Sequence, residues 1–329
     1  MNIIAFALTG AVLLTACCTT DQLSSRDIGS AVPALQSSDK VEIPKDMSGA
    51  YVTDGVEVYE DFVLDNVLHS DNHAEIHYNL YIPENYDGTR SYALFITLPG
   101  WEGLYFQGVG ENIRREKFGR EARKYHDDMI VVAPQLSDWG ETSAEETIAL
   151  TEYFLSNYNI DRKRIYINGY SGGGETLSIV LAKRPELFTA ALHCASQWDG
   201  DLTVLAQSRT PLYLAVGERD EYYGPESVQR AYQLLCDLYA ADGLTEEDIR
   251  KLVVLDVKDQ EYFSARGQTN QHGGSVQFAF DQQMMSWLFG DHGEPVESES
   301  QNNKRVLTSQ AKVSDVMLLP AFHGFGQFL

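Results

Sequence analysis

The sequence predicts an α/β fold, with a mostly parallel sheet covered by helices on both faces. Three observations predict it. Between residues 92 and 289, short runs rich in β-branched and aromatic residues alternate with helix-compatible stretches. Several of those runs, YALFITL, MIVVAP and PLYLAVG, are apolar throughout, as strands buried on both faces are. RIYIN, at 164–168, then leads directly into GYSGGGET, so that a strand turns into a helix through one serine set among glycines.

The chain opens MNIIAFALTGAVLLTACC. Residues 3–16 carry no charge and have the length of a signal-peptide apolar region, too short to span a bilayer. Leu14-Thr15-Ala16-Cys17 resembles a bacterial lipobox. That resemblance implies lipidation of Cys17 and an extracytoplasmic location, anchored in the bacterial cell membrane or secreted. Residues 1–17 are therefore expected to be a leader with a lipobox. Residues 18–50, rich in Ser, Asp and Thr, are expected to be a flexible tether. A domain is expected over 51–290, and 291–329 forms a C-terminal tail without an assignable role.

Within the domain, VEVYEDFVL (56–64) and EIHYNLYI (75–82) read as strands, followed by a turn at Tyr86-Asp87-Gly88. YALFITL (92–98) is a buried strand. ENIRREKFGREARKYH (111–126) reads as a helix charged on one side, and MIVVAP (129–134) as a strand. Ser143 and Glu146 have capping-box spacing at the start of a helix over about 143–157. RIYIN is the next strand, with a helix over about 172–184. TAALHCA (189–195) and PLYLAVG (211–217) read as strands, and 225–241 as a helix. KLVVLDV (251–257) is a strand, and FAFDQQMMSWLF (278–289) a final helix.

The chain has 329 residues, with 25 Lys and Arg against 48 Asp and Glu, a formal charge of −23. Such a surface disfavours nucleic acid and anionic lipid headgroups as partners. The four cysteines, Cys17, Cys18, Cys194 and Cys236, suggest no disulfide framework, and no Cys/His spacing suggests zinc.

G-x-S-x-G alone is weak, with about one chance match in ten chains of this length. Its placement after a strand and before a helix is the context expected of a nucleophile elbow, which leaves the Ser171 hydroxyl exposed on a sharp turn. A neutral serine needs a base, and the base needs an orienting acid. Asp220, just after PLYLAVG, is the preferred acid. Glu218 and Glu221 compete with it, and Asp199 and Asp201 follow the preceding strand. His272 is the preferred base, because it alone of the eight histidines sits between the last strand and the last helix. His69, His73 and His77 have four-residue spacing but lie in loop and strand, so a metal site there is not expected. His193 falls within a strand and reads as core. The oxyanion donors are expected to be the backbone N–H of Gly172 and that of Trp101, in the loop Pro99-Gly100-Trp101 after YALFITL. Tyr170, Trp198 and Tyr222 are candidate substrate-binding rings.

NLYIPENYDGTRSYALFITLPGWEG, RIYINGYSGGGE, GERDEYYGPE and the HGG before WLFG together resemble the α/β-hydrolase superfamily. Within it they are most similar to the bacterial predicted-peptidase and esterase branch, near polyhydroxybutyrate depolymerase-like and feruloyl esterase-like proteins. The resemblance covers about residues 75–290. It implies an α/β-hydrolase fold, with Ser171, Asp220 and His272 as catalytic triad and no metal or organic cofactor. Pro99-Gly100 departs from the His-Gly common in such loops. The expected activity is a serine hydrolase acting on carboxylic esters, such as acylated polysaccharide or other extracellular esters. A serine peptidase of the same fold is the first alternative, and a non-catalytic surface-binding lipoprotein the second.

Overall fold

A computed structural model describes residues 49–70 and 73–292. The leader, Cys17, most of the tether, and the tail from 293 lie outside the described residues. Among the described residues, ten strands form one sheet: β1 (Tyr51–Thr53), β2 (Glu57–Tyr59), β3 (Phe62–Ser70), β4 (His73–Tyr81), β5 (Tyr92–Leu98), β6 (Met129–Pro134), β7 (Ile160–Tyr170), β8 (Ala190–Cys194), β9 (Leu212–Gly217) and β10 (Val253–Lys258). Their order is β1-β3-β4-β6-β5-β7-β8-β9-β10, with β2 also paired to β3. Strands β5 to β10 run parallel to one another, and β1 to β4 form the antiparallel end.

The helices are α1 (Glu111–Arg115), α2 (Phe118–Ala122), α3 (Glu141–Asn157), α4 (Gly172–Lys183), α5 (Leu202–Ser208), α6 (Glu226–Ala241), α7 (Glu246–Leu252), α8 (Gln260–Ser264), α9 (Gln271–Gly274) and α10 (Gln282–Leu288). Side chains of a strand point alternately to its two faces. In β5, Tyr92, Leu94, Ile96 and Leu98 therefore join Phe154 of α3, Leu177 of α4, Leu205 of α5 and Leu235 of α6 in one core. Ala93 and Phe95 join Ile113 of α1, Phe118 of α2, Phe263 of α8 and Leu288 of α10 in the other. Each such large apolar side chain, fully buried, contributes about 1.5–3 kcal/mol. The two cores explain why the central strands are apolar throughout.

Several elements depart from the sequence expectation. VEVYEDFVL is two strands, not one. Glu60 and Asp61 both take positive φ, 49° and 70°, and close a two-residue hairpin between Tyr59 and Phe62. The stretch 111–126 is not one helix: Lys117, at φ 67°, separates α1 from α2. α3 starts at Glu141, and Ser143 and Glu146 do not form the capping box. Instead the Ser143 hydroxyl donates to Asp138 Oδ1 at 2.7 Å, and the same oxygen accepts the Gly140 N–H at 3.0 Å. Lys251 and Leu252 end α7, capped by Thr245, and β10 begins at Val253. Residues 275–280 form a 3-10 turn, and Asp281 caps α10.

Candidate active site

Because β5, β7, β9 and β10 are parallel, the loops that follow them emerge on one edge of the sheet, where open α/β sheets bind ligands. All the residues singled out as catalytic leave strands at this edge.

Ser171 follows β7 at the centre of the sheet and is the residue before α4. Its φ of 53° and ψ of −125° lie where L-residues rarely sit. The sharp turn demands glycine on both sides. A Cβ on Gly169 would come within 2.2 Å of the Gly173 carbonyl, and one on Gly173 within 2.5 Å of the Leu98 carbonyl. The Ser171 N–H is anchored to the Cys194 carbonyl of β8 at 3.0 Å, which leaves the side chain to project from the turn.

His272 opens α9, well past β10. Ser171 Oγ stands 2.9 Å from His272 Nε2. On the other side of the ring, Nδ1 lies 2.9 Å from Asp220 Oδ2 and 3.2 Å from Oδ1. A carboxylate only accepts, so Nδ1 carries the proton and Nε2 is free to accept from the Ser171 hydroxyl. The Asp220 side chain is fully buried. Its Oδ1 also accepts the N–H groups of Tyr222 at 3.0 Å and Tyr223 at 2.9 Å, which fixes the carboxylate plane.

The competing acids have other partners. Glu221 accepts the backbone N–H of Gln271 at 2.8 Å and of His272 at 2.9 Å. Burial pushes its pKa up, but those two amides outweigh it and hold the carboxyl below its usual range. Glu218 lies 3.6 Å from Arg219. Asp201 caps α5 through the Thr203 N–H, and Asp199 accepts from the Gln197 amide.

The loop after β5 runs beside the serine: a Cβ on Gly100 would lie 3.1 Å from Ser171 Cβ. The Trp101 N–H opens a short 3-10 turn and the Gly172 N–H opens α4. Neither donates to an acceptor among the described residues. A third unpartnered donor, the buried indole N–H of Trp139, also lies here, its ring packed so closely on Gly172 that a Cβ there would come within 2.3 Å of Nε1. The Gly100 N–H, by contrast, donates to Glu116 Oε1 at 2.7 Å.

The three candidate rings differ in placement. Tyr170 is buried, donates its hydroxyl to the His272 carbonyl at 3.0 Å and stacks on the imidazole, so it supports His272. Tyr222 is 69% exposed and its ring lies 5.3 Å from that of His272, at the mouth of the site. Trp198 contacts His193, Gly200 and Ser227, and is not brought to the Ser–His–Asp chain. His193 is core: burial pushes its pKa down to about 4. His69 and His77 pair with Glu75 and Asp65, and no group of acidic, His or Cys side chains among the described residues could hold a metal.

Sequence reasoning places Tyr223 among the rings near the site but misses its partner, Glu175. The Tyr223 hydroxyl donates a short hydrogen bond to Glu175, one turn into α4, and its ring lies 5.5 Å from that of His272. Burial, then the Tyr223 bond and Asp199, act on the half-buried Glu175 carboxyl, and its pKa is raised. No cation pairs with it among the described residues.

The sequence model of the prolyl oligopeptidase family matches residues 135–256, a span that includes Ser171 and Asp220. No curated protein matches the chain. A solved thermostable esterase superposes with a TM-score of 0.56 at 24% identity, over 70% of this chain and 62% of that one. This chain thus spans less than two thirds of that esterase, and the likeness is one of fold. Fluorophosphonate-binding serine hydrolase F of Staphylococcus aureus is matched with a TM-score of 0.49 at 13% identity, over 70% of this chain and 98% of that one. Oligopeptidase B from Leishmania major is matched with a TM-score of 0.46 at 12% identity, over 71% and 37%. The chain has an α/β-hydrolase fold, and its residues 135–256 resemble the prolyl oligopeptidase family.

Proposed function

We propose that this serine hydrolase cleaves carboxylic esters through an acyl-enzyme, with Ser171 as nucleophile, His272 as general base and acid, and Asp220 as the orienting acid. The observation that carries the reading is the unbroken chain from Ser171 Oγ through His272 to Asp220, each link 2.9 Å, with the serine on a strained turn. Ser171 Oγ attacks the acyl carbon while its proton passes to Nε2. Asp220 stabilises the resulting imidazolium. The N–H groups of Trp101 and Gly172 receive the carbonyl oxygen as it gains charge, and His272 returns the proton to the leaving alcohol. Water then repeats the cycle on the acyl-enzyme. Removing one such donor typically slows a hydrolase on the order of 10²–10³-fold.

The exposed rings of Trp101 and Tyr222 at the mouth favour a flat acyl or sugar-bearing ester, such as an acylated polysaccharide. Export and lipid anchoring through Cys17 would place the enzyme where such polymers are met. The test is kcat/KM for a short-chain aryl ester, with Ser171→Ala as comparison. A loss of about 10³-fold or more supports the reading, and equal rates overturn it.

One observation favours the peptidase alternative. Glu175 is a half-buried carboxylate near the nucleophile without a cationic partner among the described residues, and it suits an ammonium group on the substrate.

A further inference from the structure

We propose that Glu116 is a positioning residue of the oxyanion site: by accepting the Gly100 N–H it fixes the loop so that the next amide, that of Trp101, stays turned to the reacting carbonyl. This rests on the serine-hydrolase reading and adds to it a residue outside the Ser–His–Asp chain. Glu116 follows α1 and is 4% exposed. Its Oε1 lies 2.7 Å from the Gly100 nitrogen, and Gly100 packs on both Ser171 and Tyr170. Of two consecutive amides in the loop, one is thus occupied by a buried side chain and the other is left unpaired. Lys117, at positive φ, breaks the helix immediately after Glu116.

The state of the carboxyl decides what it does there. No Lys, Arg or His pairs with Glu116 among the described residues. From α1, Arg115 is taken by Glu102 and Glu111. Lys117 turns its ammonium to the Arg114 carbonyl. From the loop, Glu102 adds negative charge. From β7, Tyr170 presents a phenol whose own pKa is driven up by burial and by Glu116. Burial is the largest influence on Glu116 and pushes its pKa up to about 8, against the opposing pull of the Gly100 N–H. Below that pH Glu116 holds the loop as a neutral acid. Above it, a buried negative charge stands behind the amide that must receive an oxyanion, and transition-state stabilisation weakens.

The test uses the full chain and an uncharged alkyl fluorophosphonate. Ser171 Oγ bonds to phosphorus as fluoride leaves, its proton passes to His272, and the phosphoryl oxygen occupies the oxyanion site. The labelling rate is followed by mass spectrometry between about pH 6 and pH 10 for the native protein, Glu116→Gln and Glu116→Ala. The native rate should fall several-fold above about pH 8. Glu116→Gln, which keeps an acceptor but cannot ionise, should lack that alkaline fall. Glu116→Ala should be slower by about tenfold or more across the range, with Glu116→Gln recovering most of the loss. An alkaline fall in Glu116→Gln equal to the native one overturns the proposal and leaves the hydrolase reading standing. So does its absence from the native protein. Should Glu116→Ala not fold, the native and Gln profiles decide alone. Failure of the native protein to label at Ser171 overturns both.

Discussion

The carboxylate of Glu221 accepts the backbone N–H of His272 at 2.9 Å, while its neighbour Asp220 accepts from the ring of the same histidine. Two consecutive acids thus hold one residue, one by its main chain and one by its imidazole. Glu221→Ala should lower kcat about tenfold with little change in KM, because it loosens the base without touching substrate. The check is steady-state kinetics beside a thermal melt. Glu221 has a lowered pKa, so the stability it lends is present above its unfolded-state value. It is lost as pH falls through the folded one.

Asp220→Asn should keep the fold and lose activity on the order of 10³–10⁴-fold. An amide N–H facing Nδ1 would force the ring's proton onto Nε2, the atom that must accept from Ser171. Near-native kcat with an unchanged melting temperature would show that the tautomer does not matter here.

Stability should decline as pH rises from about 5 to about 8. Burial raises the pKa of Glu116 to about 8 and of Glu146 to about 7. Between the unfolded and folded values the folded chain binds more protons, so stability falls with rising pH until both groups are ionised. Glu116→Gln and Glu146→Gln should each flatten the slope of melting temperature against pH. A slope unchanged in the double variant would locate the effect elsewhere.

Trp139 packs its unpartnered indole N–H on Gly172, beside one expected oxyanion donor. Trp139→Phe keeps the ring and removes the donor. A loss of about tenfold in kcat/KM on a small ester is expected, with no loss of stability, since no protein acceptor is abandoned. An unchanged kcat/KM would assign the indole to packing alone.

Glu175→Gln addresses ester or peptide character directly. The native enzyme should prefer an aryl ester whose acyl group bears an ammonium over its N-acetylated twin. The substitution should cut that preference about tenfold while sparing the neutral ester. No preference in the native enzyme would remove the one feature that favours an amine-bearing peptide.

The parallel strands and the elbow were legible because they obey local rules: two-faced burial makes a strand apolar throughout, and the sharp turn at Ser171 requires glycine. Asp220 is preferred to Glu218 and Glu221 by its place after PLYLAVG, but all three share one loop, and what lies opposite each is seen only in space. Glu116 carried no signal. It sits among charged residues that read as one solvated helix face, and only the break at Lys117 turns it inward. The split of 111–126 and the late start of α10 arise likewise from single residues, Lys117 and Asp281, whose effect depends on packing beyond their own segment. Tyr223 and Glu175 meet across a gap of 48 residues, and neither neighbourhood announces the other.

Strand β8 stands between β7, which leads into Ser171, and β9, which leads into the loop of Asp220. β9 and β10 are paired in register over six residues, from Leu212 with Val253 to Gly217 with Lys258. Beyond them, the acid and base are tied by both Asp220 and Glu221. The serine side is tied to the same loops twice, by the Tyr170 hydroxyl on the His272 carbonyl and by Tyr223 on Glu175 of α4, so a substitution at either tyrosine should widen the gap between Oγ and Nε2 without touching Ser171, His272 or Asp220.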